Sequence, residues 1–450
     1  MTGAHAVGQG RFRPLLWIAG LLAALAVSLL NVTEGYPWLL CLGALLLYGT
    51  AMLLPVVPAW RAPTFRLKVC AYGYGTLTAF LLSLVPALAF QILRFATVLP
   101  ADRPRYLAGV VIFVLAEALL FGVGIVCLYL TSIQLGIGLR VIGALCGWIP
   151  VVNLFVLFRL LRVVKEEVVL ESEKVLLNFE RRDRLICRTR YPVLLVHGFL
   201  FRDRPGFDAW GRIPDELIRN GATVLYGKQQ SCISVPESAA ELAVRIRKIL
   251  DETGCEKLNV IAHSKGGLDI RYAMAYEGIA PYIASVTTIN SPHRGCVFAE
   301  HLLQQVPEAA QKQIAAACNA ATRNLGDHAP DFLATVKDLT AGVCRARDAE
   351  LSCPEGVFCQ SYGSRLVTAE QGKFPLSLVH DYVKRYDGIN DGVVAEESFA
   401  WGERYTLLEP AGKRGISHLD MIDLYRENIP DFDVREFYVE LVHDLKKRGF

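Results

Sequence analysis

Residues 258–274 read Leu-Asn-Val-Ile-Ala-His-Ser-Lys-Gly-Gly-Leu-Asp-Ile-Arg-Tyr-Ala-Met. The apolar run at the start predicts a buried β-strand, and the pattern after the glycines predicts a helix. Ser264 lies at the apex of the tight turn between them, in a G-x-S-x-G pattern whose first glycine is replaced by the equally small Ala262. Small residues are needed there because the strand and the helix pack closely. We therefore predict that Ser264 is a nucleophile; a turn serine that caps a helix is the alternative.

The segment after residue 190 alternates short β-branched runs with helical patterns. This alternation is typical of an α/β fold, in which helices cover both faces of a mostly parallel sheet. In such sheets the chemistry takes place beyond the carboxyl ends of the strands. The strand candidates are Pro192–Val196, Ala222–Tyr226, Leu258–Ala262, Ala284–Ile289, Gly356–Tyr362 and Arg404–Leu408. The helix candidates include Ile213–Asn220, Glu237–Glu252 and Leu268–Tyr276.

A serine nucleophile needs hydrogen-bond donors for the oxyanion that forms during attack. The main-chain N–H of Lys265 is one candidate, because it follows Ser264 at a helix N-terminus, where the dipole favours negative charge. The loop after the first strand offers the second, because Gly198 lets the amide of Phe199 turn towards the site. His197, in the same loop, is interpreted as a structural hydrogen-bonding residue and not as the base.

The general base is expected late in the chain, because this fold orders its residues as Ser, then Asp or Glu, then His. His418 follows the last strand candidate in a loop, whereas His443 lies on the terminal helix and His380 precedes the best acid. That acid is Asp391, in a tight glycine-rich loop, and Asp387 is its rival in the same loop. A buried carboxylate there would hold the imidazole of His418 in one tautomer and stabilise the imidazolium.

These motifs resemble the bacterial triacylglycerol lipase and esterase group of the α/β-hydrolase superfamily. The resemblance is carried by the segments Tyr191–Asp203, Leu258–Met274, Thr288–Gly295, Asn390–Val394 and His418–Asp420. It covers about residues 187–450 and implies the α/β-hydrolase fold and carboxylic ester hydrolysis through an acyl-enzyme. By position, it implies Ser264 as nucleophile, Asp391 as acid and His418 as base. The main-chain amides of Phe199 and Lys265 would form the oxyanion hole.

The resemblance also implies a lid over an apolar acyl pocket and, in some members, a structural calcium ion. The lid would be the insertion at about residues 296–355, with helical patterns at Phe298–Val306 and Ala309–Arg323. A fixed cap domain is the alternative. One calcium ligand would be Asp420, but no aspartate has the spacing of the second ligand, so neither a metal nor a cofactor is assigned.

Residues 1–161 consist mainly of long uncharged runs. A membrane-spanning helix takes about 20 apolar residues, and soluble core helices seldom run this long without a charged face. We therefore predict an all-α, multi-pass transmembrane region of four to five helices, the fifth being short or re-entrant. Glu117, inside the fourth run, is interpreted as protonated or hydrogen-bonded to a neighbouring helix. The five runs are Pro14–Thr33, Gly35–Trp60, Val69–Leu93, Tyr106–Leu130 and Val141–Phe158.

Residues 162–190 are charged and periodic, which predicts an amphipathic helical connector to a hydrolase domain at residues 191–450. Basic residues collect on the cytoplasmic side of a membrane protein. The basic residues before the first run, and those between the second and third runs, favour a cytoplasmic N-terminus. The basic residues after the fifth run favour a cytoplasmic hydrolase domain. Five full spans would place the hydrolase outside instead, and the cytoplasmic side is preferred. The basic residues concerned are Arg11, Arg13, Arg61, Arg66, Lys68, Arg159, Arg162 and Lys165.

Composition excludes some partners and chemistries. The net charge is only +3, and no basic stripe with interleaved aromatic residues is present, which argues against nucleic acid. The twelve cysteines include no C-x-x-C pair, which argues against zinc ribbons and thioredoxin-type redox chemistry. The sequence thus predicts a membrane-anchored serine hydrolase of acylglycerols or other lipid esters, with the bilayer as partner. A phospholipase or acyltransferase of the same fold and a non-catalytic membrane sensor or binding module are the alternatives.

Overall fold

The computed structural model describes residues 13–32, 38–147, 149, 151–204, 207–409, 414–429 and 431–450. The chain divides into two compact units, Met1–Glu180 and Arg181–Phe450. The first unit is helical, and the second contains a β-sheet with helices. The helix Val152–Arg181 covers most of the predicted connector. The boundaries predicted at residues 161 and 190 remain predictions.

The described helices of the first unit differ widely in length. They are α1 (Arg13–Val32), α2 (Trp38–Leu53), α3 (Val56–Ala59), α4 (Phe65–Thr97), α5 (Arg103–Thr131), α6 (Gly136–Cys146) and α7 (Val152–Arg181). Within the described residues, four segments are long and apolar enough to cross a membrane. These segments are Pro14–Asn31, Trp38–Ala59, Phe65–Thr97 and Arg103–Thr131. Such helices suggest association with a membrane.

The fifth predicted run, Val141–Phe158, is not one continuous helix. Its first part belongs to α6, which has 11 residues, and its second part belongs to α7, which begins at Val152. An 11-residue helix is about 16 Å long, whereas the hydrocarbon core of a bilayer is about 30 Å thick. The structure therefore favours the lower end of the predicted range of four to five spanning helices.

Small residues allow α4 and α5 to approach each other closely. A Cβ atom at Gly73 would lie 2.5 Å from Leu128 Cδ1 and 2.9 Å from the carbonyl oxygen of Gly124. Between helices in lipid, such close packing replaces the hydrophobic driving force that acts in water. The carboxylate of Glu117 on α5 accepts a hydrogen bond of 2.9 Å from the hydroxyl of Ser83 on α4. This is the hydrogen bond to a neighbouring helix that the sequence suggested for Glu117.

The second unit is built on a six-stranded parallel sheet of order β4-β1-β5-β6-β7-β8, with β2 and β3 forming a separate antiparallel pair. Each of the six predicted strand runs overlaps one strand of this sheet. The strands are β1 (Val193–Val196), β2 (Asp203–Arg204), β3 (Phe207–Asp208), β4 (Val224–Tyr226), β5 (Leu258–His263), β6 (Ile283–Ile289), β7 (Phe358–Ser364) and β8 (Arg404–Leu408).

The helices of the second unit cover both faces of the sheet. They are α8 (Ile213–Arg219), α9 (Val235–Thr253), α10 (Lys265–Tyr276), α11 (Val297–Gln305), α12 (Glu308–Leu325), α13 (Phe332–Asp338), α14 (Ala341–Arg347), α15 (Leu376–Asp387) and α16 (Val434–Lys447). Alternate residues of β1 belong to different cores: Leu195 shares one with Tyr438 of α16, and Leu194 shares the other with Leu242 of α9. Burial on both faces explains why β1 is apolar throughout.

The strand order creates a crevice beside Ser264. From β1 the chain crosses to β4 on one side and then to β5 on the other, so the order reverses at β1. In open α/β sheets, ligands bind beyond the carboxyl ends of the strands at such a reversal. The parallel sheet, its two helical layers and the serine turn after β5 confirm the predicted α/β-hydrolase fold. Helices α11 to α14 lie between β6 and β7 and form the predicted insertion.

Candidate active site

Ser264 occupies a strained turn between β5 and α10. Its backbone angles are φ 56° and ψ −128°, a region that non-glycine residues rarely adopt. The turn requires small neighbours, because a Cβ at Gly266 would lie 2.6 Å from the carbonyl oxygen of His197. Ala262, at the position of the missing first glycine, is fully buried. This is the geometry of a nucleophile elbow, in which the serine hydroxyl is raised above the end of the sheet.

The loop after β1 comes close to Ser264. A Cβ at Gly198 would lie 2.7 Å from the Cβ of Ser264, so only glycine allows this approach. Within the described part of the chain, the main-chain amides of Phe199 and Lys265 donate to no other protein group. Two unpaired amides that flank the serine are what an oxyanion hole requires. His197 lies within 3.0 Å of two carbonyl oxygens, those of Gly198 and Gln229, which fits a structural role.

Asp391 and His418 form a buried pair. Oδ2 of Asp391 lies 2.6 Å from Nδ1 of His418, and the main-chain N–H of His418 donates to the carbonyl oxygen of Asp391 at 2.9 Å. Oδ1 of Asp391 accepts the amides of Val393 and Val394 at 2.9 and 2.8 Å. The pair therefore has the arrangement of an acid that orients an imidazole.

His418 also lies beside the residue that precedes Ser264. The rings of His263 and His418 have centroids 4.5 Å apart, and His263 Nε2 lies 3.1 Å from the carbonyl oxygen of His418. Burial, together with the neighbouring His418, lowers the pKa of His263 well below its usual value. His263 is thus neutral and adds no repulsion to an imidazolium at His418. In the described residues, no hydrogen bond joins the hydroxyl of Ser264 to His418.

The rival candidates are engaged elsewhere. The carboxylate of Asp387 accepts the amides of Val297 and Phe298, at 2.8 and 2.6 Å, where α11 begins. The ring of His380 contacts the neighbouring Asp381, and that of His443 contacts the carbonyl oxygen of Ile186 at 3.0 Å. Neither histidine contacts Asp391, and the geometry favours Asp391 over Asp387.

Asn290 is a site residue to which the sequence analysis assigned no role. It follows β6, and its side-chain amide donates to Asp391 Oδ2 and to the Ser364 hydroxyl at 2.6 and 2.7 Å. Its φ of 47° is in the left-handed region, which asparagine tolerates better than most residues. The sequence offered one indication of this role, because Asn290 is a polar residue at the carboxyl end of a predicted strand. Asn290 holds the carboxylate of Asp391 from the side opposite the Val393 and Val394 amides.

Asp420 does not fit the role of a calcium ligand. Its Oδ2 accepts the amide of Ser417 at 2.9 Å, and its Oδ1 pairs with Arg414 at 3.2 Å. Among the described residues, no group of three or more His, Cys, Asp or Glu side chains is arranged to hold a metal ion. Asp420 instead stabilises the loop that carries His418.

The chain is similar to known lipases. It is 36% identical to a triacylglycerol lipase of Vibrio cholerae over 121 residues, which are 27% of this chain and 38% of that protein. It is 27% identical to triacylglycerol lipase 2 of Saccharomyces cerevisiae over 266 residues, which are 54% of this chain and 74% of that protein. The solved lipase of Staphylococcus hyicus matches 58% of this chain and 97% of its own, at 16% identity and a TM-score of 0.44.

The extent of this similarity is limited. The chain covers 32–38% of the length of the triacylglycerol lipases of Vibrio cholerae, Pseudarthrobacter phenanthrenivorans and Burkholderia plantarii. No family model matches it. The similarity confirms the predicted resemblance to the triacylglycerol lipase and esterase group.

Proposed function

We propose that this chain is a membrane-anchored serine carboxylic ester hydrolase that acts on acylglycerols or other lipid esters. The observation that carries the proposal is the buried His418–Asp391 pair, 2.6 Å apart, beside the strained turn of Ser264. Nucleophile, acid and base (Ser264, Asp391 and His418) occur in the chain order of this fold. Similarity to triacylglycerol lipases supports the same class of reaction.

In the proposed acylation step, the hydroxyl oxygen of Ser264 attacks the ester carbonyl carbon while His418 Nε2 takes the hydroxyl proton. The carbonyl oxygen becomes an oxyanion, which accepts hydrogen bonds from the amides of Phe199 and Lys265. Asp391 holds Nδ1 of His418 and stabilises the imidazolium. Catalytic hydrogen bonds often tighten only in the Michaelis complex, so we expect the serine-to-histidine hydrogen bond to form when the substrate binds.

In the second half of the reaction, the tetrahedral intermediate collapses and the alkoxide leaves with the proton from His418. The remaining acyl-enzyme on Ser264 is attacked by water, whose proton passes to His418. Collapse of the second intermediate releases the carboxylic acid and returns the proton to Ser264. One ester bond and one water molecule are consumed, and no cofactor enters the balance.

The first unit supports membrane anchoring. Four apolar segments are long enough to cross a membrane. Because four is an even number, four crossings would place the N-terminus and the second unit on the same side of the membrane. Basic residues before and at the start of α1, between the end of α3 and the first turn of α4, and on α7 would all lie on that side. They are Arg11, Arg13, Arg61, Arg66, Lys68, Arg159, Arg162 and Lys165. We therefore propose a multi-pass protein whose hydrolase unit faces the cytoplasm.

The test uses the full-length protein in detergent micelles. A fluorophosphonate probe, which reacts with activated serines, should label the protein, and the Ser264→Ala variant should remain unlabelled. Hydrolysis of p-nitrophenyl butyrate should be lost in parallel. A panel of acylglycerols and phospholipids would then separate a lipase from a phospholipase. Labelling that persists in folded Ser264→Ala would overturn the assignment of the nucleophile.

A further inference from the structure

Asp327 is a buried carboxylate of the insertion that binds two loops beside the active site. Its side chain is fully buried, and its oxygens accept four hydrogen bonds. Oδ1 accepts Arg202 Nη1 at 3.0 Å and the amide of Ser231 at 3.1 Å. Oδ2 accepts the hydroxyl of Ser231 at 2.9 Å and the amide of Cys232 at 3.0 Å. A buried charge persists only when it is paired and hydrogen-bonded in this way. The proposed mechanism assigns no role to Asp327.

Arg202 connects this carboxylate to the loop that carries the proposed oxyanion amide of Phe199. Its Nη1 also donates to the carbonyl oxygen of Gln229 at 2.8 Å, and Nη2 donates to that of Gly326 at 3.1 Å. The same Gln229 oxygen lies 3.0 Å from His197 Nε2. The Gln229 side chain donates to the carbonyl oxygen of His197 at 3.0 Å. Hydrogen bonds therefore connect Asp327 to His197 through Arg202 and Gln229. His197 lies two positions before Phe199.

The loop needs this external support because its backbone is strained. Leu200 has a φ of 65°, which is unfavourable for a residue with a branched, apolar side chain. A second contact with the insertion lies nearby, since the rings of Phe199 and Phe332 have centroids 5.6 Å apart. Both contacts come from the insertion segment between α12 and the start of α13. The position of the Phe199 amide thus depends on a segment that is more than 120 residues away in sequence.

The segment around Asp327 is firmly docked. Gln230 Oε1 accepts the amides of His328 and Ala329 at 2.6 and 2.8 Å, and the amide of Asp331 donates to the carbonyl oxygen of Cys232 at 2.6 Å. Farther along the insertion, Asp338 accepts the amide of Val235 at 2.8 Å. These hydrogen bonds support the interpretation of this part of the insertion as a fixed cap.

We infer that Asp327 and Arg202 are a positioning pair, through which the docked cap holds the Phe199 amide where the oxyanion forms. The inference rests on the proposed function. Neither residue touches the reacting atoms; the pair acts through Gln229, His197 and the backbone of the loop. Oxyanion donors act mainly in the transition state, so disturbing their position lowers kcat more than it changes KM.

The experiment measures p-nitrophenyl butyrate hydrolysis by the full-length protein in detergent micelles. Asp327→Asn keeps the shape of the side chain. Its NH₂ group, however, cannot accept the hydrogen bonds that Ser231 or Cys232 donates to the carboxylate. Misplacing a catalytic group by about 1 Å costs about 100-fold, so kcat should fall about 10- to 100-fold with KM within about threefold. Arg202→Lys keeps the positive charge but loses the two guanidinium nitrogens, Nη1 and Nη2, that make these hydrogen bonds. Its kcat should fall by the same factor. The double variant should be no slower than Asp327→Asn alone.

The matched control is Asp331→Ala in the same insertion. The Asp331 side chain caps α13 by accepting the amide of Ala334 at 3.0 Å and lies at the surface. Its removal should lower the melting temperature, because the helix loses its N-cap, and leave kcat unchanged. Circular dichroism and thermal melting establish that each variant is folded; if Asp327→Asn does not fold, Arg202→Lys decides.

Two outcomes distinguish failure of this inference from failure of the proposed function. If Ser264→Ala is inactive while folded Arg202→Lys keeps kcat within twofold of the unmodified protein, the positioning role is wrong and Asp327 is only an anchor. If Ser264→Ala retains its turnover, the proposed function fails, and this inference fails with it.

Discussion

Nδ1 of His418 lies 2.6 Å from Oδ2 of Asp391, although 27 positions separate the two residues in sequence. The same carboxylate accepts Asn290 and the amides of Val393 and Val394, so three elements of the chain hold it in place. Because Asp391 is fully buried, its charge interacts strongly with an imidazolium at His418. The relationship explains how a histidine in a loop acquires one orientation and one tautomer.

The first prediction concerns this acid. Asp391→Asn should reduce kcat by about 10⁴-fold, because the amide no longer fixes the imidazole tautomer required of the base. Asp387→Asn is the matched control from the same loop and should reduce kcat by less than about tenfold, because Asp387 caps α11. Ester hydrolysis by the two folded variants measures the ranking. The opposite ranking would transfer the acid role to Asp387.

The second prediction concerns cooperation between the nucleophile and the base. Ser264→Ala and His418→Ala should each lower kcat by about 10⁵- to 10⁶-fold, and the double variant should be hardly slower than either, since triad members act as a unit. Steady-state kinetics on a soluble ester measure the three values. Additive losses would mean that the two side chains do not share one step.

The third prediction concerns the pH dependence of stability. Burial, together with the guanidinium groups of Arg271 and Arg294, lowers the pKa of His293 well below its usual value. Below pH 6.5 the unfolded chain binds a proton at this histidine that the folded chain does not bind, so stability falls as pH falls. Between pH 7.5 and 5.5 this histidine should therefore lower the stability, by on the order of 1 kcal/mol.

Urea unfolding of a fragment comprising residues 171–450 measures this effect. His293→Gln cannot be protonated, so the fragment carrying it should lose less stability than the unmodified fragment over the same pH interval, by on the order of 1 kcal/mol. An identical pH dependence in both fragments would show that His293 is not held neutral in the folded state.

The fourth prediction concerns the membrane helices. The second unit has its own sheet and cores, so the 171–450 fragment should hydrolyse soluble short-chain esters at nearly the rate of the full-length protein. On long-chain lipid in vesicles it should be slower than the reconstituted full-length protein, because anchoring raises the effective concentration of the substrate. Equal rates on vesicles would show that the helices do not serve substrate access.

Local patterns in the sequence were sufficient to predict the architecture. Strand, turn and helix around Ser264 follow from short-range periodicity and from the small residues 262, 266 and 267. The apolar runs likewise predicted the long helices of the first unit, because spanning length is a local property. The fifth run was harder to interpret, although Pro150 within it is a residue that interrupts helices. Only the structure divided it between α6 and α7.

The preference for Asp391 over Asp387 was suggested by sequence, but the physical grounds for it come from tertiary structure. Both carboxylates lie in one loop, and which of them faces His418 depends on how that loop packs against β6 and α11. The contribution of Asn290 and the link from Asp327 to Arg202 were likewise invisible, because they join segments about 100 residues or more apart. Sequence by itself determined the elements and the reactive residue types, since these depend on near neighbours. Tertiary structure alone decided which polar groups meet, because long-range hydrogen bonds form only when the packed sheet brings its loops together.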